Sequence, residues 1–262
     1  MKLDQIKKHW EEAGKELSFS SKVTPTSRDP YLGNAERNFI LRHLSKNQNV
    51  LEIGCGDAYH TVQYCKKVKH ITGLDVADTL IQLAKLRAKK ARINNADFIT
   101  GSILDIDDLV KDKKIDCIIS QRCLINLPDW NTQKEAILKL YNILPKGGYF
   151  LMTEGFQDEL NNLNAARKNV GLSKINVVNY NRNFLHSEFD SFVKKHFIIE
   201  KIHNYGLYFF LSRLYHPLNV YPDLPRHDSK LNETAGILSD LYSNKKVFEE
   251  YSYNLLYILK KK

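Results

Sequence analysis

The segment Val50-Leu51-Glu52-Ile53-Gly54-Cys55-Gly56-Asp57-Ala58 is an apolar strand that runs directly into a glycine turn. A second apolar run, Ile71-Thr72-Gly73-Leu74, closes on Asp75, about 20 positions further on. Glycines at such a turn let backbone N–H groups come close to a ligand, because no Cβ stands in the way. A carboxylate at the tip of the next strand can accept hydrogen bonds from both hydroxyls of a ribose. Together the two features predict a nucleoside-cofactor site at the carboxyl ends of adjacent parallel strands.

The spacing narrows the cofactor. The dinucleotide fingerprint needs a third glycine where Tyr59 stands, and a bulky ring there blocks close helix–strand packing. The motif Glu52, Gly54, Gly56, with Ala58 in place of a last glycine, resembles instead the first motif of class I S-adenosylmethionine-dependent methyltransferases. The resemblance continues in order through Asp75, Phe98–Ile103, Ile115–Ser120 and the turn and strand Leu144–Leu151, covering Val50 to Glu154. It implies the fold, S-adenosylmethionine as donor with S-adenosylhomocysteine as product, and methyl transfer as the reaction.

Composition excludes several classes. The chain has 262 residues, 43% hydrophobic and 26% charged, ordinary values for a globular protein. No apolar run approaches the ~20 residues of a membrane-spanning helix, and the polar start Met1-Lys2-Leu3-Asp4-Gln5 lacks a signal-peptide core, so a cytoplasmic protein is expected. Cys55, Cys65, Cys117 and Cys123 form no C-x-x-C pair, which favours reduced thiols over a disulfide framework or a metal site. The net charge of +9 is spread along the chain and reads as a lysine-rich surface, although it leaves nucleic acid open as a partner.

The pattern predicts a single domain with an α/β architecture: a doubly wound, mostly parallel seven-stranded sheet. Residues 1–45 form an N-terminal helical cap, with helices over Leu3–Glu16 and Ala35–Leu44 and a loop over Ser20–Pro30. Residues 46–155 alternate strand and helix as the cofactor-binding core, and 156–262 form an acceptor-side half. The last strand, Ser252–Leu259, is expected to run antiparallel beside the fifth, as the resemblance implies. Between the last two strands lies a long aromatic insertion, about 205–245, read as a helical lid or acceptor platform over the carboxyl edge of the sheet.

The resemblance also implies roles. The turn Gly54, Cys55 and Gly56 faces the methionine part of the donor, and Asp75, with Val76 beside it, holds the ribose. Ser102 and Ile103 lie by the adenine, and Glu52 contacts the donor or organises the loop. Arg28 pairs the donor carboxylate and Tyr31 lies by the sulfonium, attracted as a cation to a ring face. The fourth strand ends in Ser120-Gln121-Arg122-Cys123-Leu124-Ile125-Asn126-Leu127-Pro128, making Gln121, Arg122 and Asn126 donor or acceptor contacts. Neither the acidic-or-Asn, double-proline pattern of adenine and amide-nitrogen enzymes nor the Pro-Cys nucleophile of cytosine C5 enzymes stands there. The aspartate of metal-dependent catechol enzymes is missing too, so no metal is expected.

Glu154, just after the fifth strand's apolar run, is the carboxylate best placed to serve as base or acceptor anchor. Asn161, Asn164 and Arg167 share a helix face suited to a hydroxyl-rich or anionic acceptor. In the insertion Tyr205, Tyr208, Arg213 and His216 are acceptor candidates. His60 reads as a helix-start residue rather than a base. The run from Arg122 to Pro128, the block Glu154, Asn164 and Arg167, and His216-Pro217 resemble bacterial methyltransferases associated with surface-polysaccharide biosynthesis. That implies O-methylation of a sugar, nucleotide-linked or phosphate-bearing precursor by a monomer or homodimer. An RNA methyltransferase and a non-catalytic cofactor-binding protein are the alternatives.

Overall fold

The computed structural model describes residues 1–16, 29–242 and 245–262. Arg28, with residues 20–28 of the expected loop, lies outside the described residues. The chain opens with α1 (Leu3–Glu16) and α2 (Pro30–Leu41), then enters the sheet at β1 (Asn49–Ile53). The short α3 (Thr61–Tyr64) precedes β2 (His70–Asp75), and α4 (Asp78–Lys90) leads to β3 (Ala96–Thr100). After α5 (Ile106–Leu109) come β4 (Cys117–Gln121), α6 (Trp130–Ile143) and β5 (Tyr149–Gly155). The second half contains α7 (Gln157–Asn169), α8 (His186–His196) and β6 (Phe197–Asn204). The insertion holds α9 (Gly206–Phe209), a π-helical stretch Phe210–Tyr215, α10 (His216–Val220) and α11 (Lys230–Leu241), and β7 (Asn254–Lys261) ends the sheet.

The seven strands lie in the order β3-β2-β1-β4-β5-β7-β6. β1 to β5 pair in parallel, and β7 runs antiparallel to both β5 and β6, so the expected reversal of the last strand is found. β1 is buried along nearly its whole length because alternate residues face two separate cores. Leu51 and Ile53, with Ile118, Phe150 and Met152, pack on α6 and α8. Val50, with Ile71, Ile119 and Leu151, packs on the α2 residues Leu32, Ala35, Phe39 and Ile40.

The start of α2 differs from the sequence reading, and capping explains it. α2 starts at Pro30 rather than Ala35, because the Asp29 carboxylate accepts from Leu32 N–H at 3.1 Å and Pro30 supplies a preset φ at the first helical position. α6 starts at Trp130 in the same way, with the Asp129 carboxylate accepting from Thr132 N–H at 2.8 Å. The insertion also sits differently. α11 packs along α2, and Tyr208 and Arg213 anchor to Asp29, the former at 2.6 Å. Burial opposes ionisation of Asp29, but Arg213 and the Tyr208 hydroxyl outweigh it and hold its carboxyl below the usual range. Among the described residues no helix is long and apolar enough to cross a membrane, and all four cysteines are free.

Candidate functional site

β1 and β4 lie side by side at the centre of the sheet, where the chain's path switches direction, and open α/β sheets carry their ligand crevices at such points. A cavity of about 600 Å³ opens there, at the carboxyl ends of β3, β2, β1 and β4. Its volume falls within the range of small-molecule sites.

The glycine turn shapes one wall. Gly54 adopts φ +67°, and a Cβ there would meet Cys123 Cβ at 2.7 Å. Gly56 (φ +55°) and Ala58 (φ +60°) continue the left-handed turn, so the position where the motif departs from glycine still takes the glycine conformation. Gly56 N–H does not point at the cavity; it donates to Asp75 Oδ2 at 2.9 Å. Ala77 N–H donates to the other oxygen at 3.0 Å, which fixes the carboxyl at the tip of β2 with lone pairs left over. Burial raises the Asp75 pKa to about 6. Glu52 lies behind the turn, and burial with Asp75 nearby pushes it to about 8, so it is a neutral acid at pH 7.

The structure brings together Gly54, Asp75, Val76, Ser102, Ile103, Gln121, Arg122 and Asn126 on the cavity wall. Ser102 caps the turn after β3, accepting from Leu104 N–H at 3.1 Å. Arg122 sits at φ +57°, a costly backbone state for a non-glycine residue. Asn126 Nδ2 donates to Arg122 O at 2.7 Å and fixes the bend after β4. Glu52, Cys55 and Gly56 stand behind this wall and shape it from there.

Other expected residues have different work. Glu154 is fully buried and does not face the cavity. It accepts from the Ser120 hydroxyl and from Cys123, Leu124 and Ile125 N–H at 3.1–3.2 Å, so it holds the loop after β4. Burial lifts it to about 7. Tyr31 lines a smaller groove of about 360 Å³ between α2 and α11. Asn161 accepts from Gln157 at 2.8 Å on an exposed face. Asn164 clasps Ile175 through N–H and C=O, and Arg167 donates to Ser173 O at 2.8 Å and to Arg213 O. Tyr205 is buried in the core that holds α2, Tyr208 and Arg213 bind Asp29, and His216 Nδ1 is 2.9 Å from Asn232. Buried polar groups must find partners, and Asn164, Arg167, Tyr208, Arg213 and His216 found them inside the fold. His60 immediately precedes α3; burial and the cationic Arg37, Arg122 and Arg87 push its pKa down to about 3, which keeps it neutral.

Two contributors escaped the sequence reading. The first is α1, whose Leu3, Ile6, Lys7 and Trp10 line the cavity. Trp10 Nε1 donates to Asn126 at 3.1 Å, and Glu11 caps α4 through Asp78 and Thr79 N–H at 2.8 and 3.1 Å. The apolar spacing of α1 was legible; its target was not. The second is Glu36, a fully buried carboxylate that accepts from Gln121 at 2.8 Å and Asn254 at 2.6 Å. A single acidic residue amid the apolar face of α2 was its signal.

Comparisons with known proteins identify the family and the fold. A family model described as a methyltransferase domain matches residues 44–196. The chain is 25% identical over 111 residues to a demethylmenaquinone methyltransferase of Listeria welshimeri, covering 41% of this chain and 45% of the relative. It is 29% identical over 174 residues to a malonyl-[acyl-carrier protein] O-methyltransferase of Priestia megaterium, covering 64% of this chain and 58% of that protein. The chain thus spans about half the length of the curated relatives it matches. The fold is similar to the N-methyltransferase NodS from Bradyrhizobium japonicum, solved with S-adenosyl-L-homocysteine, at a TM-score of 0.58 and 14% identity over 98% of each chain.

Proposed function

The chain belongs to the methyltransferase-domain family of class I S-adenosylmethionine-dependent enzymes, and from that premise we propose that it moves a methyl group from this donor to a small polar acceptor. The observation that carries the reading is the cavity at the tips of β3, β2, β1 and β4, with the Gly54 cradle and the Asp75 carboxyl on its wall. These residues fit the donor: an apolar, turn-lined end by Ile103 and Leu104, a carboxyl for two ribose hydroxyls, and a close backbone approach at Gly54.

When bound, the donor supplies an electrophilic methyl. The chain's own residues hold it, orient it and exclude water, with α1 as a wall of the cavity. Positioning of the acceptor supplies most of the rate. Glu154 is committed to the loop after β4, so no carboxylate base is assigned to it.

The acceptor is a sugar, nucleotide-linked or phosphate-bearing precursor of a surface glycan, methylated on oxygen. The resemblance given above supports this, as does the polar set Gln121, Arg122 and Asn126 at the β4 end of the cavity. The relatives' names specify demethylmenaquinone and a malonyl-[acyl-carrier protein], so the acceptor is not inherited from either. The test is transfer of a labelled methyl group to a panel of nucleotide sugars, free sugars and bulk RNA. Label in a sugar-bearing compound is expected. Label in RNA alone contradicts the small-molecule reading, and binding of the donor with no transfer to any acceptor marks a non-catalytic protein.

A further inference from the structure

We propose that Glu36 and Arg122 form a carboxylate-binding arm for the amino-acid end of the donor, with Arg122 touching the donor and Glu36 as the positioning residue that aims it; the inference rests on reading the cavity as an S-adenosylmethionine site.

The cavity crosses four strand tips in spatial order β3, β2, β1, β4. An adenosyl ligand whose ribose meets Asp75 on β2 and whose base lies by Ile103 beyond β3 directs its amino-acid part past Gly54 toward β4. The donor's anionic group is the carboxylate at that end. The wall there carries Arg122, and its guanidinium is a planar fork suited to a carboxylate. Among the described residues, Lys7 is the other cation on the wall; it stands on α1 and is exposed.

Arg122 is held from three sides. Its N–H donates to Thr153 O at 2.7 Å, its carbonyl accepts from Asn126, and its Nε lies 3.4 Å from Glu36 Oε2. The Nε contact leaves the two terminal amines without a partner among the described residues. Glu36 is fixed in turn. It is fully buried on α2, its Oε1 takes Asn254 Nδ2 from β7, and its Oε2 takes Gln121 Nε2 from β4. Tyr64 OH donates to the same Gln121 at 3.1 Å. A buried carboxylate in contact with a guanidinium is costly unless further hydrogen bonds satisfy it, and here two amides do so. The arrangement restrains a long side chain at the cavity rim, which lowers the entropy lost when it engages an anion.

The experiment compares two ligands that differ at that end. S-adenosylhomocysteine carries the amino acid, and 5′-methylthioadenosine lacks it. Dissociation constants are measured for both with wild type, Arg122→Met and Glu36→Gln. Arg122→Met is expected to weaken S-adenosylhomocysteine about 10- to 100-fold, the effect of a lost charge-assisted pair, and to leave 5′-methylthioadenosine unchanged. Glu36→Gln, which keeps shape and removes charge, is expected to shift the same ligand in the same direction by a smaller factor. Unchanged S-adenosylhomocysteine binding in Arg122→Met overturns the arm. Equal loss of both ligands in Glu36→Gln overturns its positioning role and marks it as a packing residue. Wild type that binds neither ligand overturns the donor reading itself, and the arm with it.

Discussion

Asp75 has one oxygen on Gly56 N–H and the other on Ala77 N–H, and burial places its pKa at about 6. A carboxylate accepts hydroxyl donors better than the neutral acid does. The folded-state value lies above the ordinary aspartate value, so protonation sets in as pH falls toward the mildly acidic range. Binding of S-adenosylhomocysteine is therefore expected to strengthen as pH rises from about 5 to about 7, by up to about tenfold per unit below the pKa. Asp75→Asn is expected to bind weakly and to flatten that profile. A wild-type profile that is already flat contradicts a ribose contact by Asp75. The same raised value means that this carboxyl detracts from stability as pH climbs through about 6.

At the scale of elements, the loop after β4 shows what the sequence made legible. The places of Gly54 and Asp75 on the cavity wall were readable because a turn and a strand tip are local and follow from neighbours in the chain. Glu154 was readable as a carboxylate at a strand end, but not as a loop anchor. Its partners Cys123, Leu124 and Ile125 lie about 30 positions away and become neighbours only because β4 pairs with β5. Arg167, Asn164 and His216 misled for the same reason, since their partners are backbone groups or side chains that only the folded chain brings near. Glu154→Ala leaves three N–H groups and a hydroxyl without their acceptor. At ~1–3 kcal/mol for each buried orphan, a loss of at least about 3 kcal/mol is expected in denaturant unfolding. A variant as stable as wild type that still loses methyl transfer would return Glu154 to the role of base.

Across the whole molecule, the alternation of strands and helices predicted the sheet, because parallel pairing and crossover handedness leave few layouts. The reversal of β7 beside β5 matches what the family resemblance implied. The position of the insertion was not predictable from its aromatics. Tyr208, Phe209 and Ala235 are buried against α2, so much of the apolar character serves a core rather than a lid. The face left over the cavity is supplied by the other end of the chain, through α1. The molecule is thus one sheet with two cores, and its ligand end is closed by a helix far from that end in sequence.

In the proposed function the turn at Gly54 and the carboxyl of Asp75 jointly hold the adenosyl donor at the β1 and β2 tips. Calorimetric titration of wild type and Asp75→Ala with S-adenosylhomocysteine tests it most directly. Saturable heat at one ligand per chain is expected for wild type, with a marked loss of affinity in the variant. Absence of heat with wild type, or equal affinity in the two proteins, contradicts it.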